Sequence, residues 1–298
     1  MPNGERHPTP VCHIRPLPIP PRPKEFLVNR FPFLPALMFA AAIVAAGASA
    51  HDTWVQTATA VVRPDDVVHV DLALGNHGND HRDFKLAGKL SSLEQATLAV
   101  HTPRGRTIDL VPDLVDLGYA PKEGYWSART IAAEEGLHCI AHTLDRVHGT
   151  KRTRKSAKAY FLVTRSLDTP PLSAAGNFAT PLGHPLELVL ETHPVLRAGP
   201  GREIKVRLLF RGQPLADERV SFIPRGAQLA EGFDPHFERR TDAEGRCSYT
   251  PREGNYLLVV ARRTDADDRG PGHDRTVFSA TLVLAVPQRC GCCDGAEE

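Results

Sequence analysis

Residue 51 is a histidine that directly follows Ala48, Ser49 and Ala50, the small-residue pattern that signal peptidase cleaves. Cleavage there would leave His51 with a free α-amine beside its imidazole, and both kinds of group titrate close enough to neutrality to act as unprotonated ligands. Because the amine nitrogen and Nδ1 of one histidine close a six-membered ring around an ion, the sequence predicts that His51 supplies two ligands to a divalent transition metal. The alternative is that cleavage leaves a histidine with no role.

Four further histidines are candidates for the remaining ligands of this metal. His77 and His81 lie in a glycine-rich loop, where a ligand pair and a solvated turn are equally good interpretations. His138 and His142 share a strand face but lie about 13 Å apart, too far to chelate one ion together, so His142 or His148, closer to the loop end, is the expected ligand and His138 a core or edge histidine. His184, held extended by the proline that follows it, either projects from a linker toward the N-terminal half or packs there as a spacer.

Other residues near these histidines receive simpler interpretations. Asp52 either hydrogen-bonds or ligates, whereas Trp54 on the same strand face anchors the strand in the core. Glu187 and Glu191 share one face of a later strand and are expected to be solvated. The chain shows no Ser-His-Asp grouping, phosphate-binding loop or paired catalytic carboxylates, so its sequence supports neither a hydrolase nor a kinase.

Composition and charge exclude further classes of protein. The 298 residues carry 36 Lys+Arg against 35 Asp+Glu, a net charge of +1, so no nucleic-acid partner is indicated. Hydrophobic residues make up 41% of the chain, which is enough for a packed core and argues against wholesale disorder. The 26 Pro and 23 Gly predict many turns rather than long helices.

The elements that must position the histidines begin after a predicted signal peptide at residues 1–50, which has a proline-rich, basic first part. Its strongly apolar stretch, 35–47, is shorter than the roughly 20 residues that a membrane span needs. Cleavage is therefore favoured over an uncleaved anchor. We expect a periplasmic or secreted protein with no stable membrane span after cleavage.

The remaining sequence is predicted to be all-β. Residues 67–74 alternate apolar and polar side chains with the two-residue period of a half-buried strand, and similar runs separated by turn signals follow. The pattern predicts two β-sandwich domains of Ig-like or transthyretin-like type, at 51–165 and 186–287. A linker at 166–185 joins them, and a cysteine-rich tail at 288–298 follows.

The cysteines add one prediction and one open question. Export places the chain in an oxidising compartment, where thiols tend to pair or to bind metal. Cys139 and Cys247 each sit alone in an apolar strand and are expected to be buried free thiols. Cys290, Cys292 and Cys293 lie together in the tail, where they form a disulfide or hold a soft ion.

His51, Asp52 and Trp54 at the signal junction resemble the start of the NikM-like group, secreted proteins of unassigned domain function described as periplasmic components of cobalt or nickel transport. The similarity continues at 158–162, 181–189, 206–210, 212–215 and 241–245. The resemblance implies two β-sandwich domains and transition-metal handling outside the cytoplasm, with a membrane metal transporter as partner. One departure is the loop after residue 74, which is unusually rich in His and Asp.

The sequence therefore predicts an exported, non-enzymatic protein that binds nickel, cobalt or copper, with a role in nickel or cobalt uptake. The predicted ligand pool is His51, His77, His81, His142 and His184. Two alternatives remain open: a copper-dependent oxidase that uses the same N-terminal chelate, and a structural or carbohydrate-contacting β-sandwich without metal.

Overall fold

The computed structural model describes residues 51–78, 83, 95–167 and 176–288. All of them belong to Gly47–Glu298, one of the two compact units of the chain. They form strands and a short 3₁₀ turn at Val111–Asp113, with no α-helix among them, so the predicted all-β class is confirmed. Within these ranges no helix is long and apolar enough to cross a membrane. The predicted signal peptide and residues 289–298 of the predicted tail lie outside the described residues.

In chain order the strands are β1 (Asp52–Thr57), β2 (Val61–Val62), β3 (Val67–Gly75), β4 (Ala96–His101), β5 (Thr107–Asp109), β6 (Val115–Asp116), β7 (Trp126–Ile131), β8 (Gly136–His148), β9 (Lys151–Val163), β10 (Leu186–Leu190), β11 (Ile204–Phe210), β12 (Gln213–Pro214), β13 (Arg219–Pro224), β14 (Glu238–Arg240), β15 (Arg246–Tyr249), β16 (Asn255–Asp265) and β17 (Arg275–Val286).

These strands form three sheets. The first sheet has the order β1-β3-β7-β6, and the third sheet consists of β10, β11 and β12 with β15 paired to β11. Between them lies the central sheet, with the order β14-β13-β16-β17-β9-β8-β4-β5 and with β2 paired to β9. Its neighbouring strands are antiparallel, except that β17 and β2 each run parallel to β9. Strands from both predicted domains thus share this sheet, where Thr281 of β17 pairs with Ala157 of β9.

The central sheet is covered on both faces, and β9 shows why. Successive side chains of a strand point to opposite faces, so β9 divides its residues between two apolar clusters. Those in the cluster with the first sheet are Ala157, Ala159, Phe161 and Val163. Tyr160 and Leu162 belong to the cluster with the third sheet. Because both faces are buried there, the second half of β9, residues 157–163, is a nearly continuous apolar run, and the charged residue within it, Lys158, must find a partner.

Candidate functional site

Strand β1 begins with a residue that anchors it to the central sheet. The carboxylate of Asp52 is buried and accepts hydrogen bonds from Oγ of Ser279 at 2.7 Å and from Nε of Arg262 at 3.2 Å. Nη2 of Arg262 donates to its second oxygen. Both carboxylate oxygens are therefore engaged, so of the two predicted roles for Asp52 the structure shows the hydrogen-bonding one.

The position of His51 follows from this anchor. Its backbone oxygen accepts a hydrogen bond from Nζ of Lys155 on β9 at 2.5 Å. Lys155 pairs with Ser279 across β9 and β17, so the contacts of His51 and of Asp52 reach the same part of the central sheet. The residue that cleavage would make the N-terminus is held at the face of the central sheet that the first sheet covers.

His142 lies on that same face and has one ring nitrogen without a partner. It is fully buried on β8, and its Nδ1 is 2.6 Å from the backbone oxygen of Thr97. Because a carbonyl oxygen only accepts, Nδ1 carries the proton and donates it. Nε2 is then an unprotonated lone pair, buried and without a hydrogen-bond partner in the described part of the chain.

The surroundings of His142 keep its imidazole neutral. Burial lowers its pKa to about 4, and the charge of Lys155 acts in the same direction. Lys155 thus contacts the backbone of His51 and lies close enough to His142 to affect its titration, and β1 packs against β8 as well as β9. A neutral imidazole that donates from one nitrogen to a carbonyl and keeps the other nitrogen bare has the arrangement of a metal-ligating histidine.

His77 has the same proton arrangement in a different place. It is buried with a positive φ of 66°, and its Nδ1 lies 3.0 Å from the backbone oxygen of Ile223 on β13, so Nδ1 again donates. Burial lowers its pKa to about 4. The central sheet places four strand spacings of about 4.8 Å between β13 and β8, so Ile223 and His142 lie about 19 Å apart across the sheet. The structure therefore does not bring His77 and His142 to one ion.

His184 lies among charged groups on the other side of the central sheet. It precedes β10, and the nearby Lys158 and Glu187 form an ion pair of 2.9 Å on the face toward the third sheet. Burial lowers the pKa of His184, although the charge of Glu187 opposes this shift, and its Nδ1 has no partner among the described residues. His142 faces the first sheet, so the two rings lie on opposite faces of the central sheet, although the charge of His184 also acts to lower the pKa of His142.

The expectation that Glu187 is solvated is wrong. It is buried rather than solvated, and it accepts hydrogen bonds from Lys158 and from the backbone nitrogens of the three residues 182–184. Sequence reasoning did not single out Lys158, although a lone lysine within an apolar run predicts a buried charge that needs a carboxylate.

The remaining candidate residues are His81 and the two strand cysteines. His81 lies outside the described residues. Cys139 and Cys247 are free, as predicted, but each residue is half-buried rather than buried. Burial raises the pKa of their thiols to about 11 and about 12. In the described ranges no three His, Cys, Asp or Glu residues group as metal ligands. A chelate that takes two nitrogens from His51 and one from His142 needs only two residues.

Comparisons with solved structures give distant likenesses only. The crystal structure of a DUF4785 family protein from Legionella pneumophila is 12% identical over 70% of this chain, with a TM-score of 0.27, and this chain covers 52% of its length. The D0-D1 domain of intimin is 9% identical over 79% of this chain and 98% of its own, with a TM-score of 0.21. No curated protein matches the chain.

A family model gives the informative match. The model described as "Domain of unknown function (DUF4198)" matches residues 48–265, most of the chain, beginning just before His51 and including His77, His142 and His184. The chain therefore belongs to the DUF4198 family.

Proposed function

We propose that the mature protein is an exported transition-metal-binding protein whose ion is held by His51 and His142. The α-amine and Nδ1 of His51 supply two nitrogens, and Nε2 of His142 supplies the third. The observation that carries the proposal is the state of His142: its Nδ1–H is fixed by the oxygen of Thr97, and its buried Nε2 has no partner in the described part of the chain.

The donor set indicates the class of ion. Imidazole and amine nitrogens suit nickel, copper, cobalt and zinc, whereas calcium and magnesium require oxygen ligands. Affinity for a fixed nitrogen set rises from cobalt through nickel to copper. Selection of nickel or cobalt therefore depends on which ion is supplied. The positive charge of Lys155 near both histidines opposes a bound cation and limits the affinity, as suits a protein that releases its ion.

The role that we propose for this binding is periplasmic capture of nickel or cobalt for a membrane transporter. It is supported by the signal-peptide pattern ahead of His51 and by the resemblance of the chain to the NikM-like group. It requires no catalysis, and no nucleic acid takes part. His77, His184 and the tail cysteines have no part in this site.

The test is calorimetric titration of the mature protein, starting at His51, with Ni(II), Co(II) and Cu(II). Adding one alanine ahead of His51 converts the α-amine into a peptide nitrogen, and we expect the affinity to fall more than about tenfold. His142→Gln should cause a loss of similar size. His148→Gln is the matched control, because His148 ends the same strand but is exposed.

Each outcome decides one part of the proposal. Equal affinity of the native and the alanine-extended proteins would remove the N-terminal chelate. If the alanine extension abolishes binding but folded His142→Gln binds fully, a residue other than His142 supplies the third ligand. Rapid oxidation of ascorbate by the copper-loaded protein would instead favour the copper-dependent oxidase.

A further inference from the structure

A cavity of about 990 Å³ opens to solvent beside the turn that follows β13, where the backbone nitrogen of Gly226 donates to the oxygen of His77 at 2.9 Å. Its walls are the turn that follows β13, the segment that leads into β14, and the turn that joins β15 to β16. Val286, at the end of β17, also lines it. This volume lies within the range of sites that bind small molecules, roughly 300 to 1,000 Å³.

Arg239 presents a fixed guanidinium at this cavity. Its Nη1 donates to the backbone oxygens of Pro235 at 2.9 Å and Glu238 at 2.6 Å. Its Cζ lies 5.6 Å from the ring centroid of Tyr249, and that ring is stacked on Phe222. These contacts hold the guanidinium without neutralising it, since carbonyl oxygens carry no charge. Its Nη2 donates one hydrogen to the backbone oxygen of His236 at 3.4 Å. The second N–H of Nη2 and the Nε–H, which has no hydrogen-bond partner among the described residues, can bind a carboxylate.

Arg252 provides a second positive charge from the facing turn. It is exposed and forms no ion pair with any described residue. Arg239, Tyr249 and Arg252 all line the cavity. Burial raises the pKa of the Tyr249 hydroxyl, the charges of Arg239 and Arg252 lower it, and the charge of Glu253 raises it.

The remaining charges leave the cavity positive. Arg225 also lines it but is paired with Asp83 at 2.6 Å. Glu253 is the one acidic residue among the described residues of the lining. Between the charged groups the wall is apolar, with contributions from Phe237, Pro251 and Leu257.

We infer that this cavity binds a small organic acid with two carboxylate groups joined by an apolar body. Arg239 receives one carboxylate on its Nε edge, Arg252 receives the other, and Phe237, Pro251 and Leu257 contact the part between them. A planar guanidinium binds a carboxylate through two parallel hydrogen bonds, which gives orientation as well as affinity. This site is independent of the proposed metal centre and would exist if His51 bound no ion.

The test compares three ligands that share one apolar body: suberate with two carboxylates, octanoate with one, and octanediol with none. Calorimetric titration of the mature protein at low salt should give the tightest binding for suberate, about tenfold weaker binding for octanoate, and none for octanediol. A flexible chain is the suitable probe because it adapts to the spacing of the two arginines. Suberate binding should also weaken steeply as salt is added.

Single substitutions test which charged side chains bind the two carboxylates. Arg252→Gln should reduce suberate binding to the level of octanoate, whereas Glu253→Gln should strengthen it. Arg269→Gln is the matched control, because Arg269 is also exposed but does not line the cavity. Since Arg239 packs on Tyr249, Arg239→Lys is the safer variant: it keeps the stem and the charge, loses the fork, and should bind suberate about tenfold more weakly.

Three results would overturn the inference. One is an absence of suberate binding to the folded protein. Another is octanediol binding as tightly as suberate, which would make the cavity a purely apolar site. The third is unchanged suberate affinity in both Arg252→Gln and Arg239→Lys, which would separate the binding from these arginines.

Discussion

Nζ of Lys158 lies 2.9 Å from Oε1 of Glu187, and the two side chains are only 2% and 1% exposed between the central and third sheets. Burial opposes the charge on Glu187, but Lys158 and the backbone N–H of Leu182 outweigh it and lower the pKa of the carboxyl. The pair joins β9 to β10 and fixes residues 182–184, just before Pro185 and β10, through their backbone nitrogens. Each partner makes the burial of the other tolerable.

Lys158→Met should therefore destabilise the protein by about 3–5 kcal/mol, because it leaves the Glu187 carboxylate buried without its cation. The double variant Lys158→Met with Glu187→Gln should lose less than Lys158→Met alone. Gln carries no charge, and its single amide oxygen can still accept from the nitrogens of Gly183 and His184, although its NH2 then faces the nitrogen of Leu182. Urea unfolding followed by tryptophan fluorescence measures the free energy of unfolding of Lys158→Met, Glu187→Gln and the double variant. A double variant as unstable as the sum of the two single variants would show that the charges are not coupled.

The hydrogen bonds of Asp52 predict a link between stability and metal binding. Asp52→Ala removes the anchor of β1, and we expect a loss of about 2 kcal/mol, which is below the cost of breaking a fully buried pair because Arg262 is partly exposed. Since Asp52 also positions His51, the Ni(II) affinity of the mature protein should fall about tenfold although Asp52 is not a ligand. Calorimetry and urea unfolding on the same sample give both values.

Ser279→Ala provides the comparison for Asp52. It removes one of the hydrogen bonds to the carboxylate and leaves the contacts with Arg262. Its cost should be about 1 kcal/mol, with little change in Ni(II) affinity. If Asp52→Ala leaves Ni(II) affinity unchanged in a folded protein, the position of His51 does not depend on this anchor.

Local alternation allowed much of the fold to be predicted. The strand predicted at residues 96–101 is β4, and the prediction that His138 and His142 share a face agrees with the register of β8 against β9. The parallel pairing of β17 with β9 could not be predicted in this way. A two-residue period determines which face a side chain occupies, but it does not determine which distant strand lies alongside.

The candidate site was predictable to a similar extent. Chemistry at the signal junction singles out His51, but the separation of His77 from His142 follows from four intervening strand steps of the central sheet. The burial of Glu187 depends on Lys158, 29 residues earlier, and on backbone nitrogens that face its carboxylate. Such partners are non-local, so residue types and spacing alone do not identify them.

The buried histidines predict a loss of stability in acid. The pKa values of His77 and His142 are lowered by burial from 6.5 to about 4. The unfolded chain therefore takes up these protons at a higher pH than the folded chain does. The contribution of these histidines to the free energy of unfolding should be fully present above about pH 6.5 and should decrease as the pH drops toward about 4. Below about pH 4 it should not change further. The loss is about 3 kcal/mol for each histidine.

Urea unfolding at a series of pH values measures this dependence, and a variant isolates it from other titrating groups. His142→Gln should unfold with a shallower pH dependence than the native protein between pH 6.5 and 4, whatever its stability at pH 7. His148→Gln should keep the native slope, because His148 is exposed. Identical slopes for the native protein and His142→Gln would show that His142 titrates normally in the folded state.

Substitution of His77 tests whether a buried histidine with the same proton arrangement as His142 is structural or a metal ligand. Its Nδ1 donates to Ile223 and its ring meets the edge of Trp54 at 5.6 Å, so His77→Gln should reduce stability by about 1–3 kcal/mol. Because Ile223 and His142 lie about 19 Å apart across the central sheet, Ni(II) affinity should stay within about twofold of the native value. Calorimetry on folded His77→Gln and His142→Gln compares the two directly. An equal loss of affinity in both would place His77 at the ion, and the strand order of the central sheet would then be incompatible with a single site.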